Sequence, residues 1–211
     1  MSKIIVITGI DGSGKSTQCK LIYEYLSNLG FRVHNVSLSI SKLKYYSYFL
    51  DLKKSVALQN IKFKFYQKAI IMGFETYIKI REEIINNLGK YDFIIMDRYW
   101  ESNVLYTKCS CNKFRLLKSF FSNLPKPNIY IFLKTNPEIA LARIRKRNQS
   151  IKKHENLKSL KKINKFFIKN IKNYNFITID GNLSKKNVFT EIKLIINNLV
   201  QENMDQKLKN K

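Results

Sequence analysis

KIIVITGIDGSGKST, residues Lys3 to Thr17, is the stretch that decides the fold. Five β-branched residues, Ile4 to Thr8, lead without a break into glycines at 9, 12 and 14 and then into Lys15, Ser16 and Thr17. β-Branched side chains favour an extended chain. The glycines let the backbone curl, and STQCKLIYEYLSNLG behind them has the apolar spacing of a helix. Strand, glycine loop and helix in that order, with GxxxxGK[ST] complete from Gly9 to Ser16, describe a loop whose backbone N–H groups converge on a phosphate. Gly9, Asp11, Gly12, Ser13, Gly14 and Thr17 shape that loop. Lys15 adds a full charge for the β and γ phosphates, and the Ser16 hydroxyl is a magnesium ligand of the expected kind. The implied ligands are ATP and Mg²⁺.

Outward from this loop, short apolar runs recur near residues 35 (RVHNVSL), 95 (DFIIMD), 131 (NIYIFLK) and 178 (NFITIDG), separated by segments of helical spacing. Strands alternating with helices require crossover connections, so the fold class is α/β with a five-stranded parallel sheet covered by helices. Punctuation agrees. Gly30 follows LSNL as a helix-terminating glycine; Asn136, Pro137 and Glu138 form an N-cap, a first-turn proline and an early acid. Asp180 and Gly181 close the last strand, and Ser184 is placed to cap the final helix. We read residues 1–211 as one domain, with fraying of the polar tail expected from about 201.

A net charge of +24 suggests a polyanionic partner. Lys, Asn, Ile and Tyr are abundant along the whole chain, however, as a coding bias would produce, and no RNA-recognition signature is present. Nucleic acid is therefore not the expected partner. No run approaches the roughly 18 to 20 apolar residues of a membrane span, and the N-terminus has no secretory pattern. The expectation is a soluble, cytoplasmic protein with reduced thiols at Cys19, Cys109 and Cys111.

Two further features carry chemistry. In FIIMDRYWES the strand delivers Asp97 and Arg98 to its carboxyl end, the edge where open α/β sheets bind ligands. Asp97 there suits a magnesium shell and Arg98 a phosphate. In ALARIRKR, helical spacing sets Arg143 and Arg147 on one face and turns Arg145 away. Phosphoryl transfer needs such cations over the migrating group.

Taken in order, VITGIDGSGKSTQ, DRYWESNVLY, PNIYIFLKTNPEIALARIRKR and ITIDG resemble the thymidylate kinases over most of the chain. The resemblance implies a P-loop fold of the nucleoside-monophosphate kinase type, a homodimer, and transfer of the γ-phosphoryl of MgATP to dTMP. It places Asp11 beside the acceptor sugar and phosphate and Arg98 on that phosphate. Ser102 and Tyr106 would line the acceptor pocket, with Asp97 near the metal. The loop holds Ser13 instead of an arginine, so the resemblance assigns the catalytic arginine to a lid at residues 148–156, through Arg143 or Arg147.

The acceptor side departs from the family. Thr8 stands where members commonly have glutamate, VSLSISKLKYYS replaces an Arg-Glu-Pro-Gly-Gly segment, and Lys134 replaces an aspartate. YQKAIIMGFETYIKIREE offers Phe74 as the base-stacking ring without an arginine at the place expected for base reading. A kinase for another nucleotide, nucleoside or small acceptor, or a non-catalytic nucleotide-binding or nucleic-acid-binding relative, therefore stands beside dTMP phosphorylation.

Overall fold

The computed structural model describes residues 2–38, 65–102, 121, 123–147, 155–170 and 175–209. Five strands form one parallel sheet: β1 (Lys3–Thr8), β2 (Val33–Ser37), β3 (Phe93–Asp97), β4 (Ile129–Lys134) and β5 (Ile177–Asp180), in the order β2-β3-β1-β4-β5. All five coincide with the apolar runs in the sequence. β1 is central, with Ile5 opposite Ile95 on one side and Ile129 on the other.

Helices α1 (Lys15–Asn28), α2 (Phe65–Ile80), α3 (Pro137–Lys146), α4 (Leu157–Asn170) and α5 (Lys185–Lys209) accompany the sheet, and α2 runs on into a π-helical turn at Arg81–Ile85. Alternation along β1 and β3 divides the core. Ile5, Ile7, Phe93 and Ile95 pack with Cys19, Ile22 and Leu26 of α1 and Ile192 and Ile196 of α5. On the opposite face, Ile4, Val6, Ile94 and Met96 pack with Ile80 and Ile84. A third cluster joins Phe132 of β4 to Ala140 and Ile144 of α3 and Leu160, Ile163 and Phe167 of α4. Each such side chain, fully buried, contributes about 1.5–3 kcal/mol. Cover on both faces explains why the inner strands β1, β3 and β4 are nearly continuous apolar runs, while the edge strands β2 and β5 are more polar and less buried.

The helix boundaries follow the local chemistry. Gly30 takes φ +80° just past α1. Asn136 Oδ1 accepts from the Glu138 N–H at 2.8 Å ahead of Pro137, and Ser184 Oγ accepts from the Asn187 N–H at 3.2 Å. The basic segment after residue 155 becomes amphipathic α4: Leu160, Ile163 and Phe167 are buried while Lys158, Lys161, Lys162, Lys165 and Lys169 face outward. α5 continues to Lys209, beyond the point near 201 where polar composition suggests fraying. Val200 and Asn203 are buried there, and Lys3 Nζ holds Glu202 at 2.7 Å. Among the described residues, no helix is long and apolar enough to cross a membrane.

Candidate active site

The glycine loop lies at the carboxyl end of β1, between β3 and β4, where a parallel sheet leaves its ligand crevice. Gly14 ends it in a left-handed conformation (φ 95°, ψ 8°) and offers no side chain to cap α1. The first-turn N–H groups of α1 are thus presented to an anion with the positive end of the helix dipole. Gly12 is fixed by close approach as well as by its φ of +79°. A Cβ there would lie 2.3 Å from the Ala140 carbonyl oxygen of α3 and 3.0 Å from Ile144 Cγ1. In this arrangement the loop backs directly onto α3, and position 12 accepts no side chain.

Lys15 is buried within the loop, and its Nζ donates to the Ile10 carbonyl at 2.8 Å. Burial pushes its pKa from 10.5 down to about 8; the Arg98 guanidinium pushes the same way, while Asp97 and Asp11 pull it back. Lys15 remains charged at neutral pH, in a site with two cations and a shape suited to an anion.

The structure brings the DR pair of β3 to this loop. Ser16 Oγ donates to Asp97 Oδ2 at 2.5 Å. Asp97 Oδ1 is buried without a hydrogen-bond partner among the described residues. A serine hydroxyl beside a carboxylate with a spare oxygen is a hard donor set of the kind Mg²⁺ takes. No cluster of three or more His, Cys, Asp or Glu exists among the described residues.

Arg98 is buried and has φ +80°, the only positive φ at a non-glycine among the described residues. Such a conformation costs on the order of 1–3 kcal/mol and persists where its surroundings enforce it. Here the enforcing contacts are the Arg98 N–H to the Ile7 carbonyl at 2.9 Å and an ion pair of its Nη2 with Asp11 Oδ1 of the glycine loop. Asp11 and Arg98, assigned by resemblance to the acceptor phosphate, are thus in contact. Ser102 is fully buried, and its hydroxyl shares a hydrogen bond of 2.7 Å with Thr8. Thr8 therefore ties the end of β1 to the segment that carries Arg98.

Arg143 and Arg147 take different partners. α3 ends at Lys146, and Arg147 is its C-cap, where the backbone turns extended (φ −80°, ψ 136°). The Arg143 guanidinium donates to the carbonyls of Gly181 (2.7 Å), Asn182 (3.3 Å) and Leu183 (3.3 Å), binding α3 to the loop after β5. Arg147 instead pairs through Nη2 with Glu155 Oε1. Arg145 is exposed, as the spacing suggests.

Phe74 lies on α2 with 56% of its surface exposed. Tyr106, Cys109 and Cys111 lie outside the described residues, as do residues 148–154 of the expected lid. Cys19 is buried against the sheet, and burial pushes its thiol pKa up, which keeps it protonated and unreactive.

Sequence reasoning missed two residues. Thr8 was visible only as a departure from a family pattern; its pairing with Ser102 spans 94 positions, beyond any local rule. Glu155 left a fainter trace. It is the only acid between residues 143 and 172, a stretch otherwise crowded with lysine and arginine.

The family model described as "Thymidylate kinase" matches residues 7–192. The "Probable thymidylate kinase 1" of Saccharolobus solfataricus is 28% identical over 94% of this chain and all of its own length. The thymidylate kinase of Schizosaccharomyces pombe is 30% identical over 96% of both chains, and that of Thermosipho africanus is 28% identical over 93% of this chain and 98% of its own.

Proposed function

The chain belongs to the thymidylate kinase family, and from that premise we propose that it transfers the γ-phosphoryl group of ATP to dTMP, giving ADP and dTDP. The observation that carries this reading is the convergence at one sheet edge of the glycine loop, buried Lys15, the Ser16–Asp97 pair and the Asp11–Arg98 pair.

In this mechanism the loop N–H groups and Lys15 hold the β and γ phosphates of the donor. Exchange of the Ile10 carbonyl for a phosphate oxygen gives Lys15 a charged partner and reverses the effect that depresses its pKa. Ser16 and Asp97 would hold Mg²⁺, which when bound neutralises charge on the β and γ oxygens. Arg98, braced by Asp11, takes the acceptor phosphate and sets it in line with the donor. The loop carries Ser13 where an arginine could stand, so a cation over the transferring group comes from beyond the loop. Arg147 supplies it, with Arg143 holding the loop after β5. Phe74 and Tyr106 flank the acceptor base.

The direct test follows ADP release from purified protein with MgATP and, singly, dTMP, dUMP, other nucleoside monophosphates and thymidine. Turnover with dTMP is the expected result. Turnover confined to a different acceptor would keep the kinase and discard dTMP, consistent with the altered VSLSISKLKYYS segment; ATP binding without turnover would favour the non-catalytic alternative. The same reading takes the protein as cytoplasmic and homodimeric. Light scattering checks the second point, with a mass of two 25.0 kDa chains as the expected outcome.

A further inference from the structure

We propose that Glu155 is a positioning residue for phosphoryl transfer, holding the Arg147 guanidinium in the orientation that meets the transferring group. The inference rests on the kinase reading above and assigns a role to a residue of the expected lid, 148–156, to which the resemblance gives none.

Three observations carry it. First, the Glu155 side chain is 2% exposed, although the residue lies in the most basic part of the sequence, where a solvated acid would find partners at no cost in desolvation. Carboxylates are almost never buried this far unless paired. Second, the pair is directed. Arg147 Nη2 is on Glu155 Oε1, while 36% of the arginine side chain remains exposed. One nitrogen of the guanidinium is thereby committed to the protein, and the exposed part of the side chain is left to meet an anion. Third, Arg147 directly follows the turn of α3 whose Ile144 and Ala140 back the glycine loop at Gly12, and its N–H donates to the Ile144 carbonyl at 3.3 Å. Arg147 is therefore anchored to the one helix that contacts the phosphate loop at Gly12.

The physical gain is preorganisation. A free arginine loses roughly 2 kcal/mol of rotamer entropy when it becomes fixed. The ion pair with Glu155 removes part of that loss before the ligand arrives. Arg143 does not serve instead, because its donors are on three backbone carbonyls.

The experiment compares wild type, Glu155→Gln, Glu155→Asp, Arg147→Met and the Glu155→Gln/Arg147→Met double variant. Readouts are kcat, KM for both substrates, thermal midpoint, and calorimetric affinity for MgADP with and without aluminium fluoride, a planar stand-in for the migrating phosphoryl. Misorienting a catalytic group typically costs about 100-fold. The expected result is a fall in kcat of about 10-fold or more for Glu155→Gln with KM for dTMP unchanged, a matching loss of affinity for the fluoroaluminate complex but not for MgADP alone, and no further loss of kcat in the double variant beyond Arg147→Met. Glu155→Asp, which keeps the charge and shortens the reach, guards against a Gln variant that fails to fold and is expected to lower kcat as well. Equal fluoroaluminate affinity in wild type and the Glu155 variants, or an equal effect of Glu155→Gln with and without Arg147, would overturn the proposal and leave the pair as a brace between α3 and α4. The fluoroaluminate comparison does not depend on turnover, so a wild type inactive toward dTMP would count against the acceptor alone.

Discussion

Replacing Lys15 by methionine is expected to make the ligand-free protein more stable and catalytically dead. Burial lowers the Lys15 pKa from 10.5 to about 8, so at neutral pH the fold carries a charge it disfavours by about 3 kcal/mol. Methionine keeps most of the length and removes the charge. It also removes the hydrogen bond to the Ile10 carbonyl, worth about 1 kcal/mol. The net gain is about 2 kcal/mol at pH 7, or roughly 4–8 °C in thermal midpoint for a chain of this size. The sign with pH follows from linkage. Below about pH 8 both folded and unfolded chains hold the proton and the wild type bears the full penalty. Between about 8 and 10.5 the unfolded chain binds more protons, so wild-type stability rises relative to the variant and the gap closes. Urea unfolding of both proteins at pH 7, 8, 9 and 10 measures this gap directly, because other titrating groups are common to the pair. A variant less stable than wild type at pH 7, or a gap that does not narrow with pH, would refute the account of Lys15 as a strained buried cation.

Other substitutions separate the parts of the site. Gly12→Ala should lose about 2–5 kcal/mol in urea unfolding, combining a left-handed backbone with a contact at 2.3 Å, whereas Gly14→Ala, with nothing within 4 Å, should lose only about 1–2 kcal/mol; equal losses would discount the packing against α3. Arg98→Ala is expected to raise KM for dTMP at least 10-fold while KM for ATP changes little, and steady-state kinetics in both substrates would expose the reverse. Arg143→Ala should lower the thermal midpoint by loosening the loop after β5, and Arg147→Ala should lower kcat more than ATP binding; an unchanged midpoint in the first or an unchanged rate in the second would set aside that arginine's assignment.

Local pattern carried the sheet well. The three inner strands, β1, β3 and β4, are apolar runs buried between helices, while the edge strands β2 and β5 carry His34, Asn35, Thr178 and Asp180 and are largely half-buried or exposed, and the glycine loop had its strand and helix on either side. Helix ends were legible where capping chemistry is local, at Gly30, Asn136 and Ser184. What escaped were contacts between distant positions. Thr8 meets Ser102, Asp11 meets Arg98, and Arg143 meets residues 181–183 only because the crossover topology folds separate segments onto one edge. Likewise Arg143 turns to the loop after β5 and Arg147 to Glu155, a divergence that residue spacing does not carry.

The central place of β1 also sets a timetable for folding. Its neighbours are β3 and β4, so the strand made first waits for residues 93–97 and then 129–134 before both of its edges are paired. At about 5–20 residues per second, synthesis takes on the order of ten seconds to travel from the glycine loop to the end of β4. During that interval the five β-branched residues ahead of the loop are an open strand edge, and α3, the backing for Gly12, has not yet been made. The nascent chain thus acquires its nucleotide grip late, and ATP can draw folding forward only after β4 and α3 have been made.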